Sequence, residues 1–300
     1  MNISSQGFAN QYANNLQILQ GNNLLYMNQI GSGHKFQKPS DAPSDTSMVL
    51  HVQTSRMQIS QCLKNSSHAK ALANITAQTI EKMMEVNSDI GAYSVQYSSL
   101  NTDALKGIRS TIDGLLEQMV DLANSKQMDT FLFSGNKLMQ QPFNVVRNAT
   151  THRIESVTYA GGDDANTFSI GPSLSLNPLT EVAENKQIKT ALDNLLALRD
   201  AFYKEPPVSD EIRTLGDKVN QDNETIFSDI MGTLGAKLTR IEHAEQQNQF
   251  IQEDLEKISS QYADIDIANI MVKFQQSQFA YQAALQTGSK VLNLSLLNYL

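Results

Sequence analysis

Tryptophan is absent from this chain and cysteine occurs once, at Cys62, so an internal disulfide and a thiol pair for metal or redox chemistry are both excluded. Aromatic residues make up 7% of the chain and charged residues 18%, while Asn, Gln and Ser are abundant, a balance that suits slender helical packing better than a bulky enzyme core. Basic residues number 23 against 31 acidic ones, for a net charge of −8. Such a surface repels phosphates, so no nucleic-acid partner is expected. No apolar run approaches the roughly 18 residues that a membrane span requires, and Met1 to Gln20 lacks a basic stretch followed by an apolar one. Neither membrane insertion nor a cleaved signal peptide is therefore expected.

Catalytic constellations are missing as well. The histidines at 34, 51, 68, 152 and 243 lie in separate segments, with no His-Glu-x-x-His and no pair on one helical face. Cys62 has none of the flanking residues of an activated nucleophile and reads as a small apolar packing residue. Gly31, Gly33 and Lys35 do not have phosphate-loop spacing, and Gly161-Gly162-Asp163-Asp164 has too few alternating oxygen ligands for a calcium loop. Asp264 and Asp266, if helical, project away from one another and cannot converge on one substrate atom. The expectation is no catalytic, cofactor-binding or metal-binding residue, and a chain that is not an enzyme.

Proline is sparse, and its placement is informative. The seven prolines stand at 39, 43, 142, 172, 178, 206 and 207, leaving Ser44–Gln141 and Val208–Leu300 free of them. Two long helical territories follow. In the second, Leu234, Ile241, Asn248, Leu255, Tyr262 and Asn269 recur every seven residues, with Lys237, Ala244, Ile251, Ile258, Ile265 and Val272 three residues behind. Nine of these twelve positions are apolar or aromatic, and no proline or glycine falls between Gly235 and Gly288. The pattern predicts one uninterrupted helix bearing a coiled-coil seam, whose partner lies alongside it. Asn248, a polar residue on that seam, is expected to set the register of the pairing.

The partner is expected within the first territory, where Leu72, Ile75, Thr79, Met83, Val86, Ile90, Tyr93 and Tyr97 advance by three or four. A further amphipathic helix is expected from Leu105 to Leu122. At the N-terminus Phe8, Tyr12, Leu16, Leu19, Tyr26 and Ile30 mark a weak, Asn-rich helix stopped by Gly31-Ser32-Gly33, with Asp41 or Ser44 capping the next one. From Thr130 the character changes. Phe131-Leu132-Phe133-Ser134-Gly135 reads as a buried extended segment, and strands are expected at Phe143–Val146, Arg153–Tyr159 and Thr167–Ile170.

The resulting fold class is mainly α, with long antiparallel helices from both chain ends forming one discontinuous domain around a small β-rich insertion. The expected division is an N-terminal segment at 1–47, disordered or weakly helical in the monomer; a helical domain from 48–135 and 180–275; the insertion at 136–179; and a C-terminal assembly segment at 276–300. An apolar C-terminal region with nothing following to cover it suggests contact with other chains. The residues expected to make assembly contacts are Phe8, Tyr12, Leu16 and Leu19 at one end and Phe279, Leu285, Leu292, Leu296 and Leu297 at the other.

Gly31-Ser-Gly-His-Lys-Phe36 with Pro39-Ser-Asp-Ala-Pro43, and Ala263-Asp-Ile-Asp-Ile-Ala268 leading to Gln278-Phe-Ala-Tyr-Gln-Ala-Ala-Leu-Gln-Thr-Gly-Ser-Lys290, resemble the paired terminal regions of the flagellin superfamily. Phe131 to Gly135 and the Ser295-Leu-Leu-Asn-Tyr-Leu300 ending look most like its hook-filament junction members. The likeness covers about residues 1 to 135 and 210 to 300. Where the family commonly shows Asp-Asp-Pro, this chain has Asp41-Ala42-Pro43. The resemblance implies an extracellular structural protein of the bacterial flagellum, an adaptor between hook and filament, exported through the flagellar type III apparatus. It implies as partners the other hook-filament junction protein, flagellin, copies of itself in a ring, and an export chaperone on the C-terminal segment. Alternatives are flagellin itself as the bulk filament subunit, an enzyme with its site in the middle module, and a cytoplasmic coiled-coil scaffold.

Overall fold

The structure, a computed structural model, describes residues 2–97 and 102–297, with side chains described at 7, 10–97 and 104–289. By its internal contacts the chain divides into two units, residues 1–57 with 252–300 and residues 58–251. Two long helices, α2 (Pro43–Gln96) and α6 (Glu224–Ala263), contribute to both.

In the 58–251 unit, α2 and α6 pack antiparallel. Lys70 Nζ meets Glu242 at 2.9 Å and Glu245 at 3.6 Å, whereas further along α2 the Asn87 amide donates to the Val219 carbonyl at 3.1 Å, so an advance along α2 is a retreat along its partner. The predicted seam is the face that goes inside, since Leu234, Lys237, Ile241, Ala244 and Asn248 are all buried. A narrow apolar stripe at heptad spacing can be covered only by another helix lying along it. Two shorter helices widen the core, α3 (Thr102–Ala123) and α4 (Val182–Tyr203). Ile112, Leu116 and Met119 of α3 and Ile188, Leu192, Leu195 and Phe202 of α4 are at most 1% exposed. At the start of α4 the Glu181 N–H donates to the Glu184 carboxylate at 2.6 Å, half of a capping box, and Pro206-Pro207 follows its end.

Between α5 (Ser209–Lys218) and α6 the helix widens into a π turn at Val219–Asn223. Asn223 is fully buried there: its amide donates to Asn87 Oδ1 at 2.8 Å and to the Ala191 carbonyl at 3.1 Å, while its oxygen accepts from the Asn194 amide at 2.8 Å. A buried amide without such partners costs about 1–3 kcal/mol. The chain of three asparagines ties α2, α4 and the π turn together.

Three antiparallel pairs make up the strand region: β1 (Lys126–Gln127) with β2 (Thr130–Phe131), β3 (Phe143–Arg147) with β4 (Ile154–Tyr159), and β5 (Phe168–Gly171) with β6 (Leu174–Leu176). The strands expected at Phe143, Arg153 and Thr167 are present with starts shifted by no more than one residue. β6 escaped prediction because Leu-Ser-Leu after a turn is too short to show alternation. The β5–β6 hairpin seats Ile170 and Leu176 against Ala69, Ala73, Ile241 and Ala244, where alanines on both helices leave room for it. Arg147 of β3 makes a two-pronged ion pair with Glu117 of α3, one arm at 2.7 Å. The guanidinium holds the Glu117 carboxyl below the usual carboxylate range, so the pair's small contribution is present at neutral pH and lost as pH falls through that lowered value.

In the unit of 1–57 with 252–300, α1 (Asn2–Ser32) pairs with α7 (Ile267–Leu297). The unbroken helix expected between Gly235 and Gly288 is interrupted here, at Asp264–Asp266. Neither proline nor glycine is needed for the break, because other groups satisfy the backbone: Lys35 N donates to the Ala263 carbonyl at 2.7 Å and Ile265 N to the Gly33 carbonyl at 3.0 Å. Asp266 Oδ1 then accepts the Asn269 N–H at 3.2 Å, an N-cap that restarts the helix as α7. Asp41 likewise serves its own turn, accepting from Lys38 N at 3.1 Å, while Pro43 opens α2.

Gly135, which ends the buried Phe131–Gly135 segment, stands at φ +62, and a Cβ there would lie 2.7 Å from the Gly162 carbonyl oxygen. Gly135→Ala is expected to lower unfolding stability by about 2 kcal/mol or more, through left-handed strain plus a backbone clash. Urea denaturation followed by circular dichroism checks this.

Candidate assembly surface

The α1–α7 pair begins from sequence that is unusual for a surface helix: none of the 31 residues of α1 is charged. Its Asn and Gln residues keep it wet, but without ion pairs it depends on apolar contact with α7 for position. The two helices run antiparallel. Tyr12 donates its hydroxyl to the Ala284 carbonyl at 2.5 Å, and at the other end the loop after α1 meets the break before α7. Gly288 is required by this pairing, since a Cβ on it would come within 2.1 Å of the Tyr12 hydroxyl. At the C-terminus of α1, Gly33 takes φ +76 while its N–H donates to the Gln29 carbonyl at 2.8 Å, a left-handed helix stop.

The clasp that follows is polar. His34 Nδ1 lies 3.3 Å from Asp264 Oδ1, Ser260 donates to the other Asp264 oxygen at 2.7 Å, and Lys35 Nζ donates to the Gln261 carbonyl at 2.5 Å. Asp264 and Asp266 are thus not helical neighbours at all: one is a clasp residue and the other a cap.

Among the described residues both helices of the pair leave large apolar side chains exposed. On α1, Ile18, Leu24, Leu25 and Met27 are exposed, and on α7 so are Met271, Val272, Phe279 and Leu285, with Phe279 at 71%. A groove of about 290 Å³ between the two helices is lined by Leu24, Met27, Phe274 and Tyr281 and by Gln20, Asn23, Gln278 and Gln282. Four buried oxygens of this unit, Asn23 Oδ1, Gln29 Oε1, Thr46 Oγ1 and Ser277 Oγ, have no hydrogen-bond partner among the described residues.

Of the residues expected to make assembly contacts, Tyr12, Leu16 and Leu19 are half-buried on α1, and Phe279 and Leu285 stand exposed on α7. The side chains of Phe8, Leu292, Leu296 and Leu297 lie outside the described residues. Asn248 is in the other unit, 2% exposed, and its amide donates to the Ile170 carbonyl of β5 at 2.7 Å. Ile18, Leu24, Leu25, Met27 and Met271 fall off the rows that the sequence pattern marks, and Val272, expected on the seam, is exposed because the helix break at Asp264–Asp266 takes α7 away from it. The signal that could have found them is the absence of charge along α1.

No family profile and no curated protein sequence matches this chain. Solved structures do. A Vibrio parahaemolyticus protein described as a flagellar hook-associated protein superposes with a TM-score of 0.65 at 15% identity, covering 75% of this chain and 100% of its own. FlgL of Bacillus cereus does so with a TM-score of 0.57 at 19% identity, over 70% of this chain and 99% of its own. The chain has their fold. Hook-associated protein 3 of Legionella pneumophila is similar too, with a TM-score of 0.56 at 14% identity, over 71% of this chain and 97% of its own. At such identities the FlgL fold is shared without side-chain detail, so the surface must be argued from the residues of this chain. Among the described residues no group of three or more His, Cys, Asp or Glu is placed to hold a metal ion, and no helix is long and apolar enough to cross a membrane.

Asn248→Leu removes the donor to Ile170 and is expected to cost about 1–2 kcal/mol. Amide hydrogen exchange should then quicken along β5 and β6. A more stable variant with unchanged protection would show that Asn248 does not fix the register of hairpin and helix.

Proposed function

We propose that this chain is a structural subunit of the bacterial flagellum, seated at the junction between hook and filament in the manner of hook-associated protein 3. The observation that carries the reading is the set of exposed apolar side chains on charge-free α1 and on its partner α7, on a chain whose fold matches hook-associated proteins over nearly all of their length. Apolar surface of this extent on two paired helices is stabilised by burial against neighbours, at about 25 cal/mol per Å² covered. Residues 1–47 and 276–300 are the assembly segments in this reading, and they gain their full packing only in the ring. Tyr12, Leu16, Leu19, Phe279 and Leu285 make contacts there, as do Phe8, Leu292, Leu296 and Leu297.

The partners are copies of the chain in a ring, the other junction protein on one side and flagellin on the other, with an export chaperone on the C-terminal segment beforehand. The location is the extracellular flagellum, reached by type III export without a cleaved signal peptide. The role is mechanical, and no turnover is assigned to it.

Flagellin itself has related terminal helices, and position separates the two readings. Immunolabelling of sheared flagella should mark a single short zone beside the hook. Label along whole filaments favours the bulk subunit, and a chain found only in lysates overturns both. Leu24→Ser with Met27→Ser should abolish motility while leaving the thermal unfolding of the 58–251 unit unchanged; normal swimming by that variant would remove α1 from the assembly surface.

A further inference from the structure

Lys237 sits on the seam of α6 between Leu234 and Ile241, both fully buried, and is itself 8% exposed. An ammonium in such a place is costly unless other groups answer it. Two do, both from the stretch that joins β6 to α4: the Leu179 carbonyl accepts from Lys237 Nζ at 2.6 Å and Glu181 Oε1 at 3.0 Å. A further polar group meets that same oxygen. The Asn177 amide donates to Glu181 Oε1 at 3.3 Å. The lysine amine and the asparagine amide therefore lie side by side across one carboxylate oxygen. Among the described residues no other lysine shares its carboxylate with an asparagine amide. All of these residues belong to the 58–251 unit.

The surroundings of this trio suit reaction between the two nitrogens' side chains. Asn177, Pro178, Leu179 and Thr180 are all buried, which keeps competing water away. Asn177 Oδ1 accepts the Leu179 N–H at 3.0 Å, a donor that polarises the side-chain carbonyl and stabilises the charge its oxygen gains when the carbon is attacked. The usual intramolecular attacker of an asparagine amide is the N–H of the next residue, and Pro178 has none. Lys237 is left as the nucleophile at hand. Glu181 is held by its own N–H, which donates to the Glu184 carboxylate at 2.6 Å. Its side chain is 45% exposed, which gives a small leaving group a way out to water.

We propose that Lys237 and Asn177 join in an isopeptide bond, with Glu181 as the catalytic base and acid. Glu181 takes a proton from the Lys237 ammonium, and the freed lone pair attacks Asn177 Cγ. Glu181 passes protons from Lys237 to the departing amide nitrogen and ends as a carboxylate. The bond from Cγ to Nδ2 breaks, the bond from Cγ to Nζ remains, and the nitrogen leaves as ammonium. Atoms and charge balance, nothing is oxidised or reduced, and no cofactor is needed. The product removes a buried charge from the seam and ties the residue that follows β6 to α6 by a covalent brace. It does not depend on which partners the α1–α7 pair meets.

Mass spectrometry of the full chain, folded and incubated at neutral pH, tests this. The expected intact mass falls short of the sequence mass by one ammonia, trypsin fails to cut after Lys237, and the digest holds a branched peptide joining Asn177 to Lys237. Lys237→Arg should keep its full mass. Glu181→Gln keeps a hydrogen-bonding group between the two but cannot carry the proton, so ammonia loss should slow at least tenfold in a variant whose circular dichroism is unchanged. A wild-type chain of full sequence mass, cut by trypsin after Lys237, overturns the inference whatever the variants do. So does ammonia loss that maps to another residue, or that folded Glu181→Gln undergoes at the wild-type rate. The junction reading stands in each of those cases.

Discussion

A heptad stripe on α6 that can be buried only by an antiparallel neighbour is the constraint on which the rest of this structure depends. Leu234, Ile241 and Ala244 lie on one narrow face, too narrow for a globular core and too apolar for water. α2 covers it, and the pair becomes the rail to which everything else is fitted. α3 and α4 widen the core on one stretch of the rail, while the small β5–β6 hairpin closes over another where alanines keep the surface low. The strand region thus covers helices as much as it forms sheets.

Polar residues within the seam find their partners outside the α2–α6 pair. Asn248 and Lys237 occupy core-facing heptad positions, where an opposing helix alone could not satisfy them. Each reaches a main-chain carbonyl from outside the helix pair: Asn248 that of Ile170, and Lys237 that of Leu179, at 2.6 Å, together with the Glu181 carboxylate. A slip in register would leave both groups buried and unpaired, at about 1–3 kcal/mol for the amide and more for the charge. The asparagine chain through Asn87, Asn223 and Asn194 does the same for the π turn.

The α1–α7 pair follows different rules. It has the length of a stable element, yet α1 carries no charge, and among the described residues Ile18, Leu24, Leu25 and Met27 of α1 and Phe279 of α7 are exposed. The Gly33–Lys35 loop and the Ala263–Ile265 break fasten to one another through main-chain hydrogen bonds, which set where α1 ends and α7 begins.

Sequence alone determined the helical territories, the seam from Leu234 to Asn248 and the starts of β3, β4 and β5 to within a residue, because proline exclusion and periodicity are local properties that tertiary packing reinforces. Phe131 to Gly135 is buried as expected but not extended: the strand stops at Phe131, and Leu132 and Phe133 lie in a turn. Only the tertiary structure decided the break at Asp264–Asp266, the π turn, the β6 strand, the partner of Asn248 and the exposure of Ile18, Leu24, Leu25 and Met27. In each of these the deciding group is distant in sequence. A carbonyl at Gly33 ends a helix at Ala263, a carbonyl at Ile170 receives Asn248, and the exposure of Leu24 depends on what α7 leaves open. Periodicity states which residues need a partner; the folded chain alone states which of them have found one.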